Sequence, residues 1–198
     1  MRLEGVGHRF EGADRLFGGL SMTLEPGRVY ALTGPSGSGK STLLSILAGW
    51  MSPTEGSVSR DAVARVSWVL QNPHGVAGRT ALDHVALPLL ARGLARAEAE
   101  PVARELLARF MLAHLEDRQF RTLSGGEAQR LMLARGIASD PGLLLVDEPT
   151  AQLDRRTAES VNDSLVALRS EGTIVVIATH DRSTSDRCTD RVDLEEFR

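Results

Sequence analysis

Gly34-Pro35-Ser36-Gly37-Ser38-Gly39-Lys40-Ser41-Thr42 is the stretch on which the reading of this chain turns. It fits the pattern G-x-x-x-x-G-K-[ST] and lies between an apolar run with strand character, Val29 to Thr33, and one with helix character, Ser41 to Trp50. Glycines at 34, 37 and 39 can adopt backbone angles closed to other residues, so successive N–H groups turn toward one anion. A helix beginning near Lys40 adds its positive dipole end. Lys40 has the reach for the outer phosphates of a nucleotide, and the Ser41 hydroxyl is the expected protein ligand for Mg²⁺. A plain glycine-rich turn with a surface lysine is the simpler reading, but it leaves the strand-to-helix context unexplained. The stretch points to binding of a nucleoside triphosphate, and is silent on the purpose.

Around it, the 198 residues suffice for one buried core, or for a core with a smaller lobe. With 42% hydrophobic and 25% charged residues the composition is that of a globular protein, and a net charge of −3 gives no reason to expect a nucleic-acid partner. Cys188 is the single cysteine and cannot close an internal disulfide, which fits a reducing compartment. No apolar stretch approaches the roughly 20 residues that cross a bilayer, and Met1-Arg2-Leu3-Glu4-Gly5 has no signal-peptide core. Work at a membrane would need another chain to supply the spanning part.

Upstream of the phosphate loop, short apolar runs alternate with Gly5, Gly7, Gly12, Gly18-Gly19 and Pro26-Gly27, the texture of strands and hairpins. Phe10 has two readings there, core packing or a platform for a nucleotide base. Downstream, Leu43, Leu44, Ile46, Leu47 and Trp50 share one helical face, Met51 to Gly56 reads as a turn, and a strand is expected over Val63 to Leu70. Gln71 then stands where a strand ends and a loop begins, the edge at which α/β proteins place ligands. From about 72 to 124 Ala, Leu, Arg and Glu dominate: Glu100-Pro101 is expected to open a helix with proline at its first position, and Val102, Leu106 and Phe110, with Ala103 and Leu107, to face its core. The segment reads as a helical lobe inserted into an α/β core, or simply as more core helix.

Two further features carry chemistry. Ser124-Gly125-Gly126-Glu127 has capping-box spacing, worth about 1 kcal/mol as a cap. A helix start fronted by two glycines is also a second anion site, and both roles are compatible. Leu143 to Val146 reads as a parallel strand buried on both faces, and it delivers Asp147 and Glu148 together at its carboxyl end. Adjacent carboxylates there need compensation. A Mg²⁺ near Ser41 would compensate Asp147 and leave Glu148 free to accept a proton from water. A helix is expected from about Arg156 to Ser170 with Val161, Leu165 and Leu168 inward, then a buried strand from Thr173 to Thr179 that sets His180 at the same edge. The tail after Arg182 is polar and mixed.

In order and approximate spacing, Gly34 to Thr42, Gln71, Leu123 to Glu127, Leu143 to Glu148, Leu153-Asp154 and His180 together resemble the nucleotide-binding subunit of an ATP-binding cassette transporter, over most of the chain from about Leu3 to His180. The resemblance implies one ATPase domain of α/β class: a P-loop core with a mostly parallel sheet, an N-terminal antiparallel β-subdomain and an inserted helical subdomain. Core and β-subdomain would take about 1–71 and 139–198, the helical subdomain about 72–138. It implies ATP and Mg²⁺ as cofactors and a head-to-tail homodimer or heterodimer of cassettes around two ATP molecules. The membrane-spanning permease would be a separate chain, the setting the cytoplasmic face of the membrane, with no nucleic acid involved.

Carried over residue by residue, the loop Gly34, Pro35, Ser36, Gly37, Ser38, Gly39 cradles phosphates, Lys40 binds the β- and γ-phosphates, and Thr42 touches the α-phosphate. Ser41 and Gln71 coordinate Mg²⁺, Asp147 holds it through water, and Glu148 polarises the attacking water. His180 contacts the γ-phosphate, Phe10 stacks on the base, and Ser124, Gly125, Gly126 and Glu127 form the stretch that meets the nucleotide of the other subunit, with Asp154 acting across the interface. Asp83-His84-Val85-Ala86-Leu87-Pro88-Leu89 is similar to the corresponding part of the lipoprotein-release and macrolide-export branch. The chain departs from the family pattern at Arg121, where proline is common, at Gln152, where serine or glycine is common, and in a tail without an aspartate-glycine hairpin. A DNA-repair or ribosomal clamp of the same family would carry two cassettes or long coiled-coil insertions. An unrelated kinase or GTPase would leave the second anion site unexplained, and there is no Asn-Lys-x-Asp motif.

Overall fold

Successive residues of a strand point to opposite faces, and the run Leu143–Asp147 uses both. Leu143 and Leu145 join one apolar cluster, Leu144 and Val146 another, and all four are fully buried. In the computed structural model, which describes residues 1–61, 63–151, 153–168 and 172–198, this strand (β6) lies inside a five-stranded parallel sheet. Its order is β5 (Val66–Val69), β6, β7 (Ile174–Ala178), β3 (Val29–Thr33), β8 (Asp190–Asp193). An antiparallel sheet, β2 (Arg15–Thr23), β1 (Arg2–Arg9), β4 (Glu55–Ser59), covers one side together with α1 (Lys40–Ala48). On the other side Val175 and Ile177 meet α5 (Arg155–Val166), and the cluster continues into α2 (Ala81–Ala91), α3 (Arg96–Arg109) and α4 (Gly125–Ala138). The short helix α6 (Arg182–Ser185) leads into β8.

Register brings the strand ends level. Asp147 pairs with Ala178, and Ala178 in turn with Leu32. In a parallel sheet the carboxyl ends share one edge, so Gly34, Asp147-Glu148 and Thr179-His180 leave the sheet side by side. Val69 pairs with Val146, which brings Gln71 to the same edge.

Several sequence expectations are corrected. Trp50 is 71% exposed and tilts against Trp68, with ring centroids 4.7 Å apart, instead of extending the buried face of α1. The cause is Gly49, whose φ of 79° caps α1 and swings the next residue off the helical face. The turn expected over 51–56 already contains the start of β4: Gly56 lies so close to the backbone of Glu4 and Gly5 that no Cβ fits, so this glycine serves strand approach. The strand expected over 63–70 is shorter, Val66–Val69.

α3 begins at Arg96, its first turn tied by the Glu98 carboxylate accepting from the Ala95 N–H at 2.9 Å, so Pro101 sits inside the helix. The face of α3 that packs is Ala99, Ala103, Leu107 and Phe110, while Val102 is exposed. The tail is structured: β8 pairs with β3 in parallel and completes the sheet. Val161, Leu165 and Leu168 are buried as expected; Ser170 and Gln152 lie outside the described residues.

Candidate functional site at the carboxyl edge of the parallel sheet

The loop between β3 and α1 has the backbone its glycines allow. Gly34, Gly37 and Gly39 have φ of 138°, 77° and 98°. At Gly39 an added Cβ would also meet the Phe17 ring at 2.8 Å, so the residue is required by space as well as by angle. Gly39 is the N-cap of α1 and supplies no side-chain cap, leaving the first amides of that helix for an external acceptor. Lys40 curls back over the loop, its Nζ donating to the carbonyls of Gly34 at 2.9 Å and Pro35 at 3.2 Å. Ser38 alone in the loop turns its hydroxyl inward, fully buried and without a hydrogen-bond partner among the described residues.

β6 delivers the carboxylates. Asp147 Oδ2 accepts from Ser41 Oγ at 3.1 Å. Burial holds the Asp147 carboxyl above its ordinary range and Glu148 adds to this, while the Ser41 hydrogen bond and Lys40 pull the other way. Glu148 follows with a φ of 48°, an uncommon backbone for a non-glycine residue that costs about 1–3 kcal/mol and must be held by its surroundings. Its N–H donates to the Ala178 carbonyl at 2.9 Å. Its side chain, only 11% exposed, receives the Thr179 hydroxyl at 3.4 Å, and its Oε1 lies 2.8 Å from His180 Nδ1. A carboxylate only accepts, so in this pair His180 carries its proton on Nδ1.

The phosphate loop, Asp147, Glu148 and His180 line one open cleft of about 660 Å³ together with Phe10 and Leu16. Gln71 borders it too. Phe10 is 46% exposed and stands edge-on to the His8 ring, 4.8 Å between centroids, so of its two readings core packing is excluded. The structure thus brings Phe10, the loop, Gln71, Asp147, Glu148 and His180 together. It does not bring Ser124 to Glu127 into the same cleft. Ser124 caps α4: its Oγ accepts from the Glu127 N–H at 3.4 Å, and its own N–H donates to Glu127 Oε2 at 2.7 Å. That bond holds the Glu127 carboxyl below its ordinary range. Asp154 caps α5 through the Thr157 N–H and hydroxyl, at 3.1 and 2.6 Å.

Two residues of the site were not anticipated. Leu16 walls the cleft near Phe10, and Thr179 backs Glu148. Each was hidden inside an apolar strand pattern, and only register places them here. Among the described residues no three His, Cys, Asp or Glu side chains gather to hold a metal alone. A hydroxyl, a carboxylate and an amide beside a phosphate loop nonetheless suit Mg²⁺, which is commonly bound by one or two carboxylates plus substrate phosphates.

Comparison with known proteins agrees with this geometry. The family model "ABC transporter" matches residues 17–151. The lipoprotein-releasing system ATP-binding protein LolD of Gluconobacter oxydans is 37% identical, the match covering 99% of this chain and 93% of that protein. A LolD protein of Caulobacter vibrioides is also 37% identical, with 99% and 91% covered. Among solved structures, a dimer of the ATP-binding cassette MJ0796 in a post-hydrolysis state with ADP and Pi superimposes with a TM-score of 0.86 at 28% identity, covering 97% of this chain and 93% of that one. With the phosphate loop, the carboxylate strand and the second capped helix start all inside a match of this extent, the chain belongs to the ABC transporter family, as one of its ATP-binding subunits.

Proposed function

We propose that this chain hydrolyses ATP at the described cleft, with Mg²⁺, as one half of a head-to-tail cassette dimer. It would sit on the cytoplasmic face of a membrane and drive a separate membrane-spanning chain. The observation that carries the reading is the level alignment of Gly34, Asp147-Glu148 and His180, set against a second amide-rich helix start, Ser124 to Gly126, that does not line that cleft. One chain has both halves of a phosphate site and cannot close them on each other. Two chains related by a two-fold axis can, each loop facing Ser124 and Gly126 of the partner subunit.

Within this reading the amides of Gly34 to Thr42 hold the phosphates, with Thr42 at the α-phosphate, and Lys40 exchanges the Gly34 and Pro35 carbonyls for β- and γ-phosphate oxygens. Ser41, Gln71 and Asp147 would hold Mg²⁺, which supplies charge neutralisation at the phosphates. Phe10 stacks on the base. Glu148 orients a water and takes its proton as the water oxygen bonds to the γ-phosphorus and the bond to the bridging oxygen of ADP breaks. His180 donates from Nδ1 to hold the Glu148 carboxylate, and its other nitrogen would contact the γ-phosphate only as a second N–H donor, that is as the imidazolium.

We assign residues 72–138 to a helical subdomain that moves against the core and engages the membrane partner. The likeness to lipoprotein-releasing proteins over nearly the whole chain, together with residues 83–89, supports a partner of the lipoprotein-release or macrolide-export type. Glu148→Gln tests the chemistry: turnover should fall by roughly 10²–10⁴-fold while ATP still binds in an equilibrium titration. Hydrolysis at the unaltered rate would remove Glu148 from the role of base.

A further inference from the structure

Between Gln71 and α2 the chain runs from Asn72 to Thr80 with no strand or helix of its own, and two rings meet the middle of that run: Phe120 lies against Gly75, and His84 holds Val76. His84, in the first turn of α2 and 3% exposed, has Nδ1 2.7 Å from the Thr80 carbonyl oxygen and Nε2 2.9 Å from the Val76 amide nitrogen. A carbonyl only accepts and an amide N–H only donates. The ring must therefore carry its proton on Nδ1 and offer a lone pair at Nε2, which is one tautomer of a neutral imidazole.

The same ring leans on Phe120, with centroids 5.3 Å apart. Phe120 belongs to the segment that runs into Ser124, and that segment is laced to the loop: Phe120 N–H donates to the Arg79 carbonyl at 2.9 Å, Arg121 N–H to the Ala77 carbonyl at 3.2 Å, and Thr80 bridges Gln119. A second tie lies closer to the site. The Gln129 side chain of α4, 2% exposed, donates to the Leu70 carbonyl at 3.3 Å, one residue before Gln71.

We infer that His84 is a positioning residue for ATP hydrolysis: as the neutral Nδ1–H tautomer it binds the loop that leaves Gln71 to the segment that enters Ser124, so that both nucleotide-facing ends move as one piece. The inference rests on the proposed function, which gives Gln71 and Ser124 their roles. Burial holds the His84 imidazole below its ordinary value, and Arg135 of α4 and Arg79 of the loop act in the same direction. The Thr80 hydrogen bond and Asp83 on its own helix oppose them, and the Phe120 segment meets the imidazole with a ring. A proton added at Nε2 would face the Val76 N–H donor to donor, so acid releases the loop.

Two substitutions in the full chain test this. His84→Gln offers an amide donor and acceptor and nothing to titrate; His84→Phe keeps a ring against Phe120 and leaves the Val76 N–H without its acceptor. Near neutral pH, His84→Phe should lower kcat for ATP by roughly 3- to 10-fold, the net worth of one part-buried hydrogen bond, with KM for ATP within about twofold because the phosphate loop is untouched. His84→Gln should keep kcat within about twofold and lose the acid limb that the unaltered chain shows below the ordinary imidazole range of about 6.5. The ring ¹⁵N shifts of His84 should report a neutral Nδ1–H tautomer at neutral pH. Unaltered kcat in His84→Phe, an acid limb in His84→Gln matching that of the unaltered chain, or an Nε2–H tautomer overturns the inference. If the unaltered chain does not hydrolyse ATP, the functional reading fails, while the tautomer measurement still decides whether His84 holds the loop as described.

Discussion

At the scale of single residues, the edge of the parallel sheet places two adjacent carboxylates in opposite situations. Asp147 is the less comfortable: burial disfavours its charge, and the Ser41 hydroxyl and Lys40 compensate only in part. Glu148 has the strained backbone but a satisfied side chain, held by His180 and Thr179. Asp147→Asn should accordingly stabilise the nucleotide-free chain while weakening its response to ligand. A gain of about 1 kcal/mol would raise Tm by roughly 2–4 °C in a domain of this size. Thermal melts with and without ATP and Mg²⁺ check both halves, and a variant stabilised by ligand as much as the unaltered chain would count against Asp147 as a metal-side residue. Asp147, Glu148 and His180 were legible as candidates because apolar runs ended on them. The hydrogen bond between Glu148 and His180 was not, since the two lie 32 residues apart and only the β6–β7 register joins them.

At the scale of elements, the start of α4 has one use that the structure shows, as a cap, and one that is proposed. Ser124 and Glu127 satisfy each other reciprocally, and this accounts for the cap without any ligand. The proposed role toward a second nucleotide separates from capping by substitution: asparagine caps a helix about as well as serine, whereas alanine costs about 1 kcal/mol. Ser124→Asn should leave Tm unchanged and still reduce ATP turnover, and Ser124→Ala should lower both. If Ser124→Asn hydrolyses ATP at the unaltered rate, the serine is a cap alone. Helix faces were less legible than helix starts. Of the face expected for α3, Ala103, Leu107 and Phe110 are buried, whereas Val102 faces water and Ala99, not expected there, packs inward. Alanine carries little hydrophobic signal in a sequence, but its small side chain is what lets α3 approach its neighbours closely.

At the scale of the whole molecule, the two half-sites lie apart on one chain, and closure is a matter of association. The Glu148→Gln protein should be monomeric by light scattering without nucleotide and shift to twice the chain mass with ATP and Mg²⁺, because retained ATP keeps the trans contacts that hydrolysis would release. Adding Ser124→Asn to that variant should return it to a monomer. A mass that never rises at saturating ATP would contradict the sandwich. In the proposed dimer a displacement of the Ser124 end would be carried through packed side chains toward the sheet, because α2, α3 and α4 share one apolar cluster with it.

The phosphate loop, the buried carboxylate strand and the capped start of α4 follow from local sequence, because each is a pattern whose physics is complete within about ten residues: glycine angles, two-faced burial, a serine and a glutamate three apart. Long-range contacts account for the rest: Trp50 is exposed, β4 and β8 are strands, Phe10 opens onto the cleft, and His84 holds the loop after Gln71. Those outcomes depend on partners distant in the chain. β8 is polar and short, and it becomes a strand because β3 offers it a free edge; His84 reads as one more residue of an apolar helix until the folded loop brings the Val76 amide to its ring.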